Sequence, residues 1–425
     1  MEKQLPTAQQ TELQRFNDVQ SFYERRPYPA PLTNLDRHRE LYRDPLRRRA
    51  QFHLLWPERP YTTRQNILVA GCGTSQAATI AMREPDAHVF AIDSSSASLE
   101  NTQALKQKYG LDNLAIHQLG IEAVSALEQE FDQIICTGVL HHLPDPVSGL
   151  IALRNVLSQQ GAIDVMVYGQ YGRTGVYMLQ EYCRMLGLAT SDRDLDDLRQ
   201  TLDALPPGHP IAAVMQQTKD FMHPDALADA LLHPQDRAYT VPQLYEWLNQ
   251  AGLEFGRWVD QAAYLPQCGG IARTPHGVRL GKLPIASQYA AMELFRGTMS
   301  KHRFIAYRED KQGDSPPIQR LKEGAHKRKG SWRGMIPIRL PWTVCLRDRL
   351  PAGAVAVLIN RAHTYSDLAL PIDEEQDQLW SLMDGGKTLG EIVDFTSKAM
   401  HHKRAITFVR RLWQYDQIVF DASTA

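Results

Sequence analysis

Two glycines, Gly71 and Gly73, close an apolar run, Asn66-Ile-Leu-Val-Ala70, and about twenty residues later a second run, Val89-Phe-Ala-Ile-Asp93, ends in a carboxylate. Ile67, Leu68 and Val69 suit a buried parallel strand, and the glycines let the backbone turn beside a ligand where a Cβ would collide. The turn opens onto a predicted helix, Gln76 to Arg83, whose free N–H groups favour negative charge or carbonyl oxygen. Asp93, at the tip of the next strand, can accept hydrogen bonds from two ribose hydroxyls. These types at this spacing point to a nucleoside-bearing ligand. A dinucleotide fold wants a third glycine where Gln76 stands, so that helix and strand approach closely around a pyrophosphate. Gln76 weakens the nicotinamide reading.

The turn, the acidic residue after the second strand and the later stretch Phe131-Asp-Gln-Ile-Ile-Cys-Thr-Gly-Val-Leu-His-His-Leu-Pro-Asp145 occur in an order that resembles class I S-adenosylmethionine-dependent methyltransferases, over roughly residues 60 to 170. The resemblance implies S-adenosylmethionine as cofactor, held by Gly71, Gly73 and Asp93 with their neighbours Ala70, Cys72, Gln76 and Ser94. It further implies Gly120 and Ile121 after the third strand, and Cys136, Thr137 and Gly138 as the pocket floor. Three positions depart from the family pattern. Val69 stands where an acidic residue often meets the methionine amino group, Ser75 replaces the third glycine, and Gly120 replaces an Asp that often meets the adenine amino group. Glu122, Gln118 or backbone groups would have to take over that last role.

The elements that must position these residues follow from alternation. Strands at 66–70, 88–93, 114–118, 132–137 and 162–168 alternate with helices at 75–83, 95–109 and 146–158, which gives a parallel sheet with helices on both faces. A helix at 241–251, a strand at 253–259, a helix at 286–299 and a strand at 302–307 would complete it. Gly110 and Gly161 fall where helix caps are expected. The fold expected is α/β: a seven-stranded Rossmann-like methyltransferase sheet, a helical cap inserted at about 172–238, and a small winged-helix-like α+β carboxy-terminal domain. Its expected divisions are a lid of helices and a proline strap at 1–60, the methyltransferase domain at 61–309, a basic linker at 310–333 and the terminal domain at 334–425. The lid comprises a helix at 8–25, the extended run Pro27-Tyr-Pro-Ala-Pro31, and a helix at 35–55. In the terminal domain, helices at 377–383, 388–396 and 405–414 precede a strand at 417–420.

Composition narrows the partners. The chain has 425 residues, 43% of them hydrophobic, and a formal net charge of -1, so no overall field gathers nucleic acid or anionic lipid. Five cysteines, far apart and odd in number, suit a reducing compartment, and with no signal peptide or run long enough to span a bilayer a cytoplasmic location is expected. Nucleic acid is not the expected partner, because the basic run from Arg320 to Arg333 offers only Trp332 as an aromatic platform and reads as a solvated linker.

Methyl transfer is an in-line displacement, so the protein mainly has to hold the acceptor about 3 Å from the methyl, opposite sulfur. An amine or hydroxyl acceptor loses a proton, and a His or carboxylate can take it; an amide depends more on orientation and desolvation. His141 and His142 follow the fourth strand where cofactor and acceptor should meet: one is a base or acceptor-positioning group, or the phrase His-His-Leu-Pro only shapes the turn. Tyr23 and Tyr28 either close over the methionine end of the cofactor or pack on the sheet edge. Tyr168, Tyr171 and Arg173 emerge from a strand end among glycines and combine planar area with hydrogen bonding, which suits acceptor recognition. The alternative is a glycine-rich bend whose rings fill the cap. No metal site is expected, since adjacent histidines on a turn point apart and no third ligand has the right spacing. The reading is methyl transfer to a nitrogen or oxygen of a protein side chain, an asparagine amide among the candidates; the alternatives are a small-molecule acceptor and a non-catalytic adaptor.

Overall fold

The computed structural model describes residues 8–217, 220–310, 332–396 and 402–425. The chain opens with α1 (Ala8–Arg25), α2 (Asp36–Leu41) and α3 (Pro45–Leu55). Then β1 (Asn66–Ala70), α4 (Gln76–Arg83), β2 (His88–Asp93), α5 (Ser96–Tyr109), β3 (Leu114–Gln118) and β4 (Phe131–Thr137) alternate as the apolar runs require. After α6 (Pro146–Asn155) and β5 (Leu157–Tyr168) comes a helical excursion: α7 (Thr174–Met185), α8 (Asp192–Asp203), α9 (Ala212–Gln217) and α10 (Pro224–Leu231). The chain continues through α11 (Val241–Gln250), β6 (Leu253–Trp258), α12 (Pro275–Leu280), α13 (Ile285–Arg296) and β7 (Lys301–Arg308).

These strands form one seven-stranded sheet in the order β3-β2-β1-β4-β5-β7-β6. Strands β1 to β5 pair in parallel, and β7 runs antiparallel to β5. One core under the sheet joins Ile67, Val69, Ala77, Val89 and Leu99, so the strands' apolar runs and the small face of α4 meet. The excursion carries its own core, Val176, Leu179, Leu195, Leu198 and Leu227, closed by Phe22 of α1. It leaves and rejoins the sheet at one place: Gly169 bridges Tyr239, and Tyr239 N–H donates to the Tyr168 carbonyl at 2.9 Å.

Contacts divide the chain into two compact units. The first comprises Met1–His38, Thr63–Gly256 and Glu293–Lys311; the second comprises Arg39–Thr62, Arg257–Met292 and Gln312–Ala425. This division cuts across the expected boundaries. The reason is visible in α3, whose Arg49 donates to the Gly385 carbonyl and to Asp421 Oδ2, both at 2.7 Å. The second unit holds β8 (Ile336–Arg339), β9 (Thr343–Leu346), β10 (Ala356–Asn360), β11 (Leu370–Ile372), α14 (Glu374–Leu382), α15 (Leu389–Thr396), α16 (His402–Gln414) and β12 (Ile418–Asp421). These strands make a three-stranded sheet, β11-β10-β9, and a two-stranded one, β12-β8.

Other expectations need correction. The single helix at 35–55 is two, because Asp44 caps α3 by accepting from Leu46 N–H and Pro45 fills its first turn. Gly161 is no helix cap: it lies inside β5, where a Cβ would stand 2.6 Å from Leu157 Cδ1. Gly110 does cap α5, in the left-handed region at φ 61°. Most of the basic linker, residues 311–331 with Pro316-Pro317 and Lys327-Arg-Lys329, lies outside the described residues. Among the described residues no helix is long and apolar enough to cross a membrane.

Candidate active site

The turn after β1 has the backbone its glycines were expected to permit. Gly71 and Gly73 take φ of 68° and 54°, and a Cβ on Gly71 would fall 2.4 Å from Val139 Cγ2. Asp93 braces the turn: Oδ2 accepts from Gly73 N–H at 2.8 Å and Oδ1 from Ser95 N–H at 2.9 Å. Each oxygen keeps a further lone pair for a ligand hydroxyl. Burial pushes the Asp93 carboxyl above its ordinary value, and the charge of Glu24 adds to this. Glu24 itself accepts from Ser96 N–H at 2.6 Å and Ala97 N–H at 3.2 Å, at the N-terminus of α5, which ties α1 beside the β2 tip. The strap lies on the turn: Thr74 Oγ1 donates to the Pro29 carbonyl at 2.8 Å, Leu32 N–H donates to Ser75 Oγ at 2.9 Å, and a Cβ on Gly73 would press on Pro29 Cδ at 3.3 Å.

The other expected cofactor residues line the same strand tips. Ala70 ends β1 in register with Ile92, and Cys72 is buried, with its thiol pushed high by burial and by Asp93. Gln76 Nε2 donates to Thr137 Oγ1 at 2.7 Å, so the residue that excludes the third glycine ties the α4 terminus to the β4 tip. The Ser94 carbonyl accepts from Gln20 and Gln118. Gly120 and Ile121 begin a short helical turn after β3, and Ile121 is buried. Burial pushes the Cys136 thiol up to about 12, and Gly138 follows it at φ 81°.

A second group of polar side chains gathers where β4 and β5 end. His141 and His142 sit on a short turn after β4, and the His141 ring lies 4.0 Å from the Tyr168 ring, centre to centre. The Arg173 guanidinium stacks 3.5 Å from the centre of the Tyr168 ring and pairs with Asp236 at 2.8 Å. The excursion supplies the rest. Asp229 of α10 accepts from Tyr23 Oη at 2.8 Å and, more weakly, from Tyr168 Oη at 3.5 Å. Burial raises the Asp229 carboxyl and, with Asp229 alongside, holds both phenols far above their usual range, so they remain donors. His233 packs on His142 at 4.0 Å, and Gln235 joins both histidines. Burial, and after it His142, pushes His141 and His233 well below the usual histidine range.

Tyr23, His141, His142, Tyr168 and Arg173 are therefore brought together, while Tyr171 stands 39% exposed apart from them. Tyr28 meets the turn through its backbone, its carbonyl 3.4 Å from where a Gly73 Cβ would be, and its phenol acts on Tyr168 electrostatically. The glycines of this stretch serve close packing: Cβ atoms on Gly172 and Gly175 would overlap the backbones of Met299 and Ile211 at 2.2 and 2.1 Å. Asp229, His233, Gln235 and Asp236 escaped the sequence reading. The available signal was Asp229, the second carboxylate, after Asp225 in the first turn, of the otherwise apolar helix Pro224-Asp-Ala-Leu-Ala-Asp-Ala-Leu231.

Two groups of ligand atoms lie within 4.8 Å of one another, His141/His142/Asp236 and His142/Asp229/His233. For the second, a metal-bound histidine normally donates its other ring N–H, whereas His233 Nδ1 accepts the N–H of Gln235 at 3.0 Å. That bond leaves the proton on Nε2 and opposes metal binding there.

Residues 63–194 match the family model described as a methyltransferase domain. An uncharacterized protein of Synechococcus sp. is 34% identical over 214 residues, 49% of this chain and 51% of that protein, so the chain spans about half the length of this relative. The trans-aconitate 2-methyltransferase of Deinococcus radiodurans is 36% identical over 27% of this chain and 40% of its own. Among solved structures, PKMT2 from Rickettsia typhi superposes with a TM-score of 0.60 at 16% identity, over 91% of this chain and 75% of that one, and also exists in complex with AdoHcy. Its likeness extends to the fold. With the glycine turn, the β2 carboxylate and the β4 motif in order on this sheet, the chain carries a class I S-adenosylmethionine-dependent methyltransferase domain.

Proposed function

We propose that the chain transfers a methyl group from S-adenosylmethionine to a nitrogen or oxygen of a protein side chain. Gly71, Gly73 and Asp93 would hold the cofactor, which supplies an electrophilic methyl group. The observation that carries the reading is the cluster of Tyr23, His142, Tyr168 and Asp229 at the strand ends, built from α1, the ends of β4 and β5, and the excursion, with His142 and Asp229 buried. Its carboxylate and ring nitrogens can orient an acceptor and receive its proton, and its burial excludes water. A protein acceptor accounts for the size of the excursion and for the second unit, neither of which binding a small cofactor requires. The deep burial of His141 and His142 also suits a small-molecule acceptor, the second reading, and the match to trans-aconitate 2-methyltransferase favours it. A cytoplasmic location fits either.

The test has two arms. Calorimetry should give S-adenosylmethionine binding by the wild type and a loss of about tenfold or more in Gly71→Ala, where a Cβ meets Val139 at 2.4 Å. Asp93→Ala should lose a similar amount through its hydroxyl contacts. Equal binding by all three, or none, removes the cofactor assignment. Label from methyl-labelled S-adenosylmethionine, followed into a cell extract, then separates protein from small-molecule acceptors. Label in neither excludes transfer and leaves the non-catalytic adaptor.

A further inference from the structure

We propose that Gln235 is a positioning residue that locks His142 and His233 in opposite proton tautomers, so that a bare ring nitrogen and a ring N–H stand side by side toward the methyl acceptor. The inference rests on the methyl-transfer reading for its use, but the tautomers follow from hydrogen bonding alone. His142 Nδ1 lies 2.8 Å from the Gln235 carbonyl oxygen. A carbonyl can only accept, so His142 carries its proton on Nδ1 and leaves Nε2 bare. The Gln235 backbone N–H donates to His233 Nδ1 at 3.0 Å. A backbone N–H can only donate, so neutral His233 carries its proton on Nε2. Burial keeps His233 neutral, and its Nε2 has no hydrogen-bond partner among the described residues. The Gln235 side chain completes the lock, with Nε2 donating to the His142 carbonyl at 2.5 Å. One residue thus fixes both rings, which stack 4.0 Å apart at 33°.

Alone, each ring would choose its tautomer freely; together they form a donor beside an acceptor. Asp229 is the third member, with a carboxylate oxygen within 4.8 Å of a ring nitrogen of each histidine. The arrangement complements a group that offers a proton and, separately, a lone pair: a hydroxyl or a carboxamide. Its proton passes to His142 Nε2, which becomes imidazolium. One lone pair on the acceptor atom forms the bond to the methyl carbon, while the electron pair of the broken carbon–sulfur bond stays with sulfur. His233 N–H holds the group through its remaining lone pair, or through the carboxamide oxygen. An ammonium, all donor, would face the His233 N–H with like polarity.

Nitrogen-15 spectra of the histidine-labelled full chain read the tautomers directly. The expected result is His142 protonated at Nδ1 and His233 at Nε2; Gln235→Pro, which removes the backbone N–H, should release His233 into a mixture while S-adenosylmethionine affinity is retained. The same tautomer on both rings overturns the proposal, as does an unchanged His233 in Gln235→Pro. In the label-transfer assay, Gln235→Pro should slow incorporation by roughly tenfold. Mass spectrometry of the wild-type product should place the methyl on an amide or hydroxyl; label on an amine overturns the complementarity. Absence of transfer by the wild type would count against the methyl-transfer reading alone, because the spectra decide the lock by themselves.

Discussion

Asp416 in the second unit and Asp229 in the first are both almost fully buried, yet their neighbours differ in kind. Asp416 accepts from Arg257 Nη2 at 3.0 Å and from Ala262 N–H at 2.9 Å, with His363 Nε2 at 3.2 Å. A cation and a backbone donor meet its charge, and it tolerates a left-handed backbone at φ 51° to do so. Asp229 has two phenols and no ion pair among the described residues, and beside it His233 Nε2 and both nitrogens of His141 find no partner. A buried carboxylate surrounded by opposite charge fastens a fold; one surrounded by weak donors and unsatisfied rings is kept at a cost in stability for a visitor to satisfy.

The sharpest way to break this contrast is to remove each charge. Asp416→Ala removes the carboxylate that faces Arg257 and should cost about 3–5 kcal/mol, read as a lower denaturation midpoint at unchanged slope; Asp416→Asn should cost less, since it keeps the acceptor and tolerates the left-handed backbone. A comparable effect of Asp229→Ala would erase the distinction. The second measurement is stability against pH. His141 and His233 have folded-state values far below the unfolded value of about 6.5, so the unfolded chain binds more protons between the two. Their contribution is full above about pH 6.5 and drains away as pH falls toward the folded values, and His233→Gln should flatten that decline. Identical pH profiles would show that these rings do not pay for their burial. The smallest effect is expected from Asp229→Asn, within about 1 kcal/mol of wild type in stability, because it removes an unpaired buried charge of nearly the same shape. Transfer of label should nonetheless fall by roughly 100-fold or more.

The sheet was legible because each parallel strand is a short apolar run and each connection a helix, so the motifs fell on strand tips in the right order. Where polarity interrupted the run, reading failed: Ser158-Gln-Gln-Gly161 looks like the end of a helix but lies inside β5, between Leu157 and Ala162, which both pair with β4. Four strands between Ile336 and Ile372 went unread because they are only 3 to 5 residues long and prolines stand in two of them, at Pro337 and Pro371. In the site, the glycines and Asp93 announced themselves by spacing. Asp229, His233 and Gln235 did not, because only the folded excursion brings them to His142, more than 80 residues earlier in the chain. His141 and His142 were recognised as candidates, but what they could do depends on partners no local pattern reveals.

The bridge between Gly169 and Tyr239 has a bearing on ancestry. Departure and return of the helical excursion share one hydrogen-bonded stitch, so the strand backbones beneath do not register its length, and its content meets them through side chains such as Tyr168. Doubling such a loop adds only about 0.6 kcal/mol to the entropy of closing it. Descendants could exchange this cassette wholesale and acquire new clients while inheriting the methyl-donor crevice untouched.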